Sequence, residues 1–521
     1  MNSLPITESV AVVGAGAMGS GIVQVAATAG HPVIIFDVSE GAAERARMRI
    51  LANLDKLVEK RRLDLEQREA IASRIAVADT LEGLAPARLI IEAIIEKLEP
   101  KQALFKGLED LVSSEAIFAT NTSSISITAI ASALRSPERL AGMHFFNPAP
   151  IMKLVEIVTG VATRQDILQT LTDTASAWGK VAVQARSTPG FIVNRVARPF
   201  YGEALRPLEE GVTDTASIDA LIREAGAFRM GPFELMDLIG NDVNFAVTSS
   251  IFQSYFGDPR YRPSLIQQEL VAAGWLGRKS GRGFYGYDQS SGVPEPSTLT
   301  GQAPPRQVSI EGSLGPAEPL AALFTKAGLS VSRKPGDGLI RIEGATLALS
   351  DGRTATARAC DGNLKDLVLF DAALDFQAAP RIAIAVADQA DRSALPAAAG
   401  LFQAAGKHVT EIDDTPSMVV LRTLSMLANE AVEAVLQGVA SPGDVDRAMT
   451  LGVNYPCGPI AWADSFGSSR VMAVLDALQA ECGDDRYRPS SLLKRCARAG
   501  RPLCNAHSGK HQSLPSDIPA N

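Results

Sequence analysis

Three glycines in Gly14-Ala15-Gly16-Ala17-Met18-Gly19 have a spacing that lets a backbone hold phosphate. The first permits a tight turn, the second lets the chain approach a pyrophosphate, and the third lets a helix pack closely on the strand before it. The run follows the apolar Val10-Ala11-Val12-Val13 and opens a helical stretch from about 16 to 29. The N–H groups of Ala17 and Met18 then stand at a helix N-terminus, which suits an anion. A second strand-like segment, Val33-Ile34-Ile35-Phe36, ends in Asp37, 18 residues after Gly19. A carboxylate there accepts hydrogen bonds from ribose hydroxyls and repels a 2′-phosphate, which favours NAD over NADP. A flavin site, or a turn kept only for its shape, would show the same glycines.

The chain has five histidines, and only His144 lies just past this dinucleotide unit, in Gly142-Met143-His144-Phe145-Phe146-Asn147-Pro148. Imidazole titrates near neutral pH and so suits general base work. A lone histidine is more often a satisfied core residue. Glu156 stands 12 residues on, inside Lys153-Leu154-Val155-Glu156-Ile157-Val158. An unpaired charge in an apolar strand is costly, so Glu156 calls for a partner.

These segments, with Asn121-Thr122-Ser123-Ser124, Thr188-Pro189-Gly190-Phe191-Ile192-Val193-Asn194-Arg195 and Gly281-Arg282-Gly283-Phe284-Tyr285, resemble the 3-hydroxyacyl-CoA dehydrogenase family. The resemblance runs from about residue 8 to 288. It implies NAD-dependent oxidation of an (S)-3-hydroxyacyl-CoA to the 3-oxoacyl-CoA, with no metal. It assigns His144 as base, Glu156 as its orienting carboxylate, and Ser123 and Asn194 as contacts to the reacting end of the substrate. It places Glu96, Lys101, Asn121, Ser123, Asn147 and Lys279 around the cofactor, beside Gly14, Gly16, Ala17, Met18, Gly19 and Asp37. It brings Asn53, Lys56 and Lys60, on the charged helix after Asp37, to coenzyme A. That helix also carries Arg61 and Arg62. The full length is similar to long bacterial members, which include 3-hydroxyadipyl-CoA dehydrogenases of phenylacetate breakdown; a 3-hydroxybutyryl-CoA or general fatty-acid substrate is the alternative. The β-hydroxyacid dehydrogenase and imine reductase group shares the glycine turn but works with a lysine. A non-enzymatic NAD-binding scaffold would need none of the Ser, His, Glu and Asn set.

The elements that must position these residues alternate in the first half. Strand-like runs at 10–13, 33–36, 89–91 and 117–120 separate helical ones, the pattern of a parallel, doubly wound α/β Rossmann sheet. Helical sequence follows Pro189, and 289–320 is rich in Ser, Pro, Gly and Gln, as linkers are. Beyond it lies a repeat. Thr188-Pro189 returns as Thr415-Pro416, Gly179-Lys180 as Gly406-Lys407, Arg195 as Arg422, Gly231-Pro232 as Gly458-Pro459, and Asp258 to Pro263 as Asp484 to Pro489, at an offset of 226 or 227. The expected organisation is an NAD-binding domain (1–186), a helical domain (187–288), a linker (289–320), a degenerate Rossmann-like copy (321–412), a second helical domain (413–505) and a disordered tail (506–521). In the second copy Glu156 aligns with Ala383, Asn194 with Leu421, and, at the loose end of the alignment, His144 with Asp371. The copy is therefore expected to be non-catalytic. The helical domains, which pack across a dimer in single-copy relatives, are expected to pair within the chain, and a homodimer stays open.

At 521 residues, with a net charge of -8, the chain gives no sign of a nucleic-acid partner. Val10 to Phe36 holds no Asp, Glu, Lys or Arg, but its glycines mark a buried strand–turn–helix and not a membrane span. Five scattered cysteines without a C-x-x-C pair fit a reducing cytoplasm.

Overall fold

The computed structural model describes residues 3–288 and 294–506. They form two compact units. The first runs through Arg195 and adds Gln437–Val453; the second holds Val196–Leu436 and the chain from Asn454. The expected tail at 507–521 lies outside the described residues.

The first unit is built on eight strands: β1 (Ser9–Val13), β2 (Val33–Phe36), β3 (Ile75–Val77), β4 (Ala87–Glu92), β5 (Ile117–Thr120), β6 (Leu140–Phe145), β7 (Leu154–Thr159) and β8 (Val181–Arg186). Their order is β3-β2-β1-β4-β5-β6-β7-β8. All neighbours are parallel except β6 and β7. Val10, Val12, Ile35, Leu89 and Ile91 are buried in one core with Ile22, Val23 and Ala26. Those last three lie on α1 (Ala17–Thr28), so the charge-free stretch is a strand, a turn and a helix. No helix among the described residues is long and apolar enough to cross a membrane. The chain order reverses between β1 and β4, and in such sheets a crevice opens there at the carboxyl ends of the strands.

α2 (Ala42–Glu59) ends earlier than the basic run suggested. Lys60 is its C-cap and Arg61 turns to φ 54°, so Arg61 and Arg62 follow the helix. Asp64 then caps α3 (Leu65–Ser73) in a capping box with Gln67. Part of the segment expected in the second helical domain also belongs here. Arg186 donates its N–H to the Val439 carbonyl at 2.8 Å, and a side chain at Gly452 would strike Leu154 at 2.7 Å.

The second unit holds the helices that follow Arg195 and a seven-stranded sheet, with β9 (Gln307–Glu311), β10 (Ser330–Lys334), β11 (Leu339–Ile342), β12 (Ala345–Leu349), β13 (Leu367–Phe370), β14 (Arg381–Val386) and β15 (His408–Glu411). β9 falls within the stretch read as linker. It pairs with β10 and β11 and buries Val308 and Ile310 on alternate positions. β12 to β15 repeat β5 to β8, with the same parallel, antiparallel, parallel sequence of pairings. Leu154 opposite Val181 becomes Arg381 opposite His408, so the offset of 227 survives in the register.

The helical segments exchange contacts reciprocally. Glu203 accepts from Arg422 at 3.0 Å and from the Tyr487 hydroxyl at 3.1 Å. Glu430, its counterpart at 227, accepts from the Tyr261 hydroxyl at 2.6 Å and from Arg260 at 3.5 Å. Asp237 holds the N–H groups of Phe284 and Tyr285, and its counterpart Asp464 holds those of Leu503 and Cys504. The Gly-Phe-Tyr ending is lost from the second copy in sequence, yet its backbone contact is kept.

Candidate active site

β1 ends in the glycine turn. Gly14 has φ 109°, and a Cβ there would lie 2.4 Å from the Ala93 carbonyl oxygen. A Cβ at Gly19 would lie 1.8 Å from the Gly14 carbonyl oxygen. These two glycines are needed by the fold itself. Gly16 differs, since nothing lies within 4 Å of its missing side chain. It is the N-cap of α1, without a side-chain cap, so the first N–H groups of the helix are open to a ligand. Asp37 closes the crevice at the end of β2, accepting from Ala15 N–H at 2.7 Å and Ser39 N–H at 2.8 Å. Each carboxylate oxygen keeps further acceptor capacity. An uncapped helix start, an open glycine and a half-buried acid fit a dinucleotide with an unphosphorylated ribose.

His144 and Glu156 are register partners on the antiparallel pair β6–β7. Their spacing of 12 residues is the length of the connection that brings them face to face. His144 Nδ1 lies 2.7 Å from Glu156 Oε2, and both side chains are buried. A carboxylate only accepts, so Nδ1 carries the proton and Nε2 of the neutral ring is left as a base. Phe146 and Phe191 flank the ring at 4.6 Å and 5.9 Å between centroids.

Glu156 has a second task. Its Oε1 accepts from Ile192 N–H at 3.1 Å and Val193 N–H at 3.0 Å. Just before them, Gly190 and Phe191 both have positive φ, 78° and 45°. A phenylalanine in that region is strained and persists only where its surroundings over-determine it. Glu156 thus faces the base with one oxygen and anchors with the other the turn that presents Asn194.

The loop after β5 is held from behind. Glu96 accepts from Thr122 Oγ1 at 2.7 Å, Ser123 N–H at 2.9 Å and Ser124 Oγ at 3.0 Å. Burial works against its charge, but the Thr122 and Ser123 bonds and the Lys101 ammonium keep it below the usual carboxylate range. Lys101 is enclosed between Glu92 at 2.6 Å and Glu96 at 3.2 Å. Its charge is paired with both of these acids, and through Glu96 it stands behind the Thr122–Ser124 loop. Asn121 accepts from Phe145 N–H at 2.8 Å and so ties the loop to the residue after His144. Lys279 is in the second unit, paired with Asp242.

A cleft of about 1030 Å³ opens between α1, α2 and the Asn147–Ile151 loop. Asn53 and Lys56 line it, as do Arg49 and Arg62, whereas Lys60 does not. Ile50, Leu54 and Leu57 give it an apolar wall. Arg49 went unrecognised in the sequence. It also donates to the Ala15 carbonyl at 2.8 Å, bridging the cleft and the glycine turn. Asn147 lines the cleft beside a cis peptide to Pro148, and the loop behind it is fixed by Lys180, which donates to the carbonyls of Ala149 and Met152. Burial lowers the Lys180 pKa.

The second copy keeps the scaffold without the histidine–glutamate pair. Lys407 repeats Lys180, donating to the carbonyls of Phe376 and Ala379, which are the counterparts of Ala149 and Met152. Asp371 N–H donates to Ala383, so these two face each other as His144 and Glu156 do. Asp371 then accepts from Val419 and Val420, the counterparts of Ile192 and Val193, at 3.0 Å and 2.7 Å. The carboxylate has moved across the strand pair. The anchoring survives and the imidazole is gone.

Models of known families match most of the chain: "3-hydroxyacyl-CoA dehydrogenase, NAD binding domain" over residues 9–188, "3-hydroxyacyl-CoA dehydrogenase, C-terminal domain" over 190–287 and 418–509, and "3-hydroxybutyryl-CoA dehydrogenase reduced Rossmann-fold domain" over 347–416. The chain is 44% identical to the 3-hydroxyadipyl-CoA dehydrogenase of Escherichia coli K12, over 94% of this chain and 97% of that one. It is 40% identical to a probable 3-hydroxybutyryl-CoA dehydrogenase of Bacillus subtilis, over 54% of this chain and 99% of that one. A crystal structure described as 3-hydroxybutyryl-CoA dehydrogenase from E. coli K12 superposes with a TM-score of 0.87 at 42% identity, covering 95% of this chain and 99% of that one.

Proposed function

The chain belongs to the 3-hydroxyacyl-CoA dehydrogenase family, and we propose that it oxidises a 3-hydroxyacyl-CoA with NAD at a single site built around His144. The buried 2.7 Å pair of His144 and Glu156, set beside a glycine turn open to a dinucleotide, carries this reading. When bound along the glycine turn and Asp37, NAD would supply the acceptor for the hydride of C3. His144 Nε2 takes the proton of the 3-hydroxyl, and Glu156 stabilises the imidazolium that forms. Ser123 and Asn194 hold the reacting oxygen, while Phe146 and Phe191 keep water from the ring. The coenzyme A portion lies in the α1–α2 cleft against Asn53, Lys56, Arg49 and Arg62. The five free cysteines suit a reducing cytoplasm.

Two of the matches that span nearly the full length differ in the acyl group they are named for, adipyl and butyryl. We place 3-hydroxyadipyl-CoA first. Kinetics with 3-hydroxyadipyl-, 3-hydroxybutyryl- and longer 3-hydroxyacyl-CoA, each with NAD and NADP, test both points. The expected order puts adipyl highest in kcat/KM, and NAD above NADP by at least about tenfold, since one misplaced charge on the 2′-phosphate costs about 1.4 kcal/mol or more. A butyryl optimum overturns the acyl assignment, and equal use of NADP overturns the role of Asp37.

The reciprocal Glu203–Arg486–Tyr487 and Glu430–Arg260–Tyr261 contacts have the form of an isologous interface within one chain. We propose that the second copy supplies the pairing that single-copy relatives obtain from a partner. A chain ended after residue 288 leaves Glu203 without its cations, and a buried charge so stranded costs roughly 3–5 kcal/mol. It is expected to aggregate or dimerise in size-exclusion chromatography. A soluble, fully active monomer would discard this role.

A further inference from the structure

The second unit holds a cavity of about 260 Å³ whose lining includes Arg198, Gly202, Arg206, Arg260, Arg262 and Arg486. Two acids, Glu209 and Glu210, also line it, so cations outnumber anions around the space. The repeat shows how such a space is closed. Gly202 has Asn429 as its counterpart, and Arg262 and Ser264 have Arg488 and Ser490. In the second copy Asn429 fills the site: its Nδ2 donates to the Arg488 carbonyl at 3.0 Å and its Oδ1 accepts from Ser490 N–H at 2.8 Å. In the first copy the same place has no side chain. Gly202 sits inside the helix Arg198–Glu209, where a glycine weakens the helix relative to alanine. A Cβ there would meet nothing closer than Arg486 Nη1 at 3.8 Å, an ordinary contact, so the space is open.

The surrounding arginines are incompletely satisfied. Terminal nitrogens of Arg206, Arg260 and Arg486 pair with Asp484, Glu430 and Glu203 at 3.0, 3.5 and 3.6 Å. The Nε atoms of all three are buried without a hydrogen-bond partner. Those Nε atoms have no surface open to the cavity, so a ligand there would meet the rest of the five lining arginines, whose charge suits an anionic acceptor.

We propose that this cavity binds a small oxyanion, a phosphate or carboxylate group, in the place that Asn429 fills in the second copy. The test is isothermal titration of the full chain with inorganic phosphate and, separately, with succinate. Ionic strength is held constant with chloride, and NADH and coenzyme A are present at saturation to occupy the catalytic unit. One saturable site per chain is expected for at least one probe, and which probe saturates identifies the group. Gly202→Asn fills the cavity as the second copy does. It should weaken binding by at least about tenfold, with unchanged acetoacetyl-CoA reduction and a Tm no lower than that of the parent. Arg206→Gln, which removes one lining cation, should weaken binding similarly and serves alone if Gly202→Asn is less stable. No saturation by either probe overturns the proposal, as does parental affinity in the variants.

Discussion

Replacing His144 with glutamine is expected to lower kcat for acetoacetyl-CoA reduction by NADH roughly 10²–10⁴-fold, the range that a positioned acid or base supplies. Glutamine is near in size and keeps an amide that can donate to Glu156 Oε2, now held by Nδ1 at 2.7 Å. It therefore fills the space between Phe146 and Phe191 and leaves Glu156 partnered. What it cannot do is take or give a proton. The loss should fall on kcat, with the KM values and the thermal unfolding midpoint close to the parent, because the interaction removed is one used only as the reaction proceeds. Binding of NADH, followed by its fluorescence, should be unchanged. A rate within about tenfold of the parent would remove His144 from the chemistry and with it the mechanism given above.

Much of this site could be read from the chain because its parts are local. The glycine turn, its strand and Asp37 lie within 30 residues, and each glycine has a distinct steric reason to be there. The pairing of His144 with Glu156 was open to inference from an acid stranded in an apolar strand, although the register that makes them neighbours was not. Other features are long-range. Nothing near Lys101 in sequence shows that Glu92 and Glu96 enclose it on both sides, and a lysine on a helix reads as solvated. Arg49 looks like any charged helical residue until its reach to Ala15 is known. β9 was hidden for a different reason. Gln307-Val308-Ser309-Ile310-Glu311 is only five residues of alternation, and the Ser, Pro and Gly around it have the composition of a linker. The second task of Glu156 left no trace at all, because backbone N–H groups carry no sequence signal.

That second task predicts a difference between the two copies. Glu156→Ala should lower kcat/KM by roughly 10²-fold or more, since His144 loses the group that fixes its tautomer. It should also lower the unfolding midpoint, because the N–H groups of Ile192 and Val193 are left buried without an acceptor, at about 1–3 kcal/mol each. In the second copy the Asp371 side chain accepts from Ala372, Val419, Val420 and Leu421. Burial pushes its carboxyl up to about 6 against those four donors, so at neutral pH it is ionised and acts as the acceptor for all of them. Asp371→Asn replaces one oxygen with a donor that faces N–H groups. It should therefore cost stability on the same scale as Glu156→Ala, again about 1–3 kcal/mol for each N–H left without an acceptor. The turn it anchors is strained as well, with Ser417 at φ 62° and Met418 at φ 56°, where the first copy has Gly190 and Phe191. Yet kcat/KM per folded chain should stay within about twofold of the parent, because no imidazole depends on Asp371. Thermal unfolding and steady-state kinetics on the two variants separate the roles: one residue moves both readouts, its displaced counterpart only one. A tenfold fall in kcat/KM for Asp371→Asn at unchanged stability would mean that the second copy still takes part in the reaction. The expected result makes it a scaffold whose catalytic carboxylate crossed to the neighbouring strand and kept only its hold on the turn.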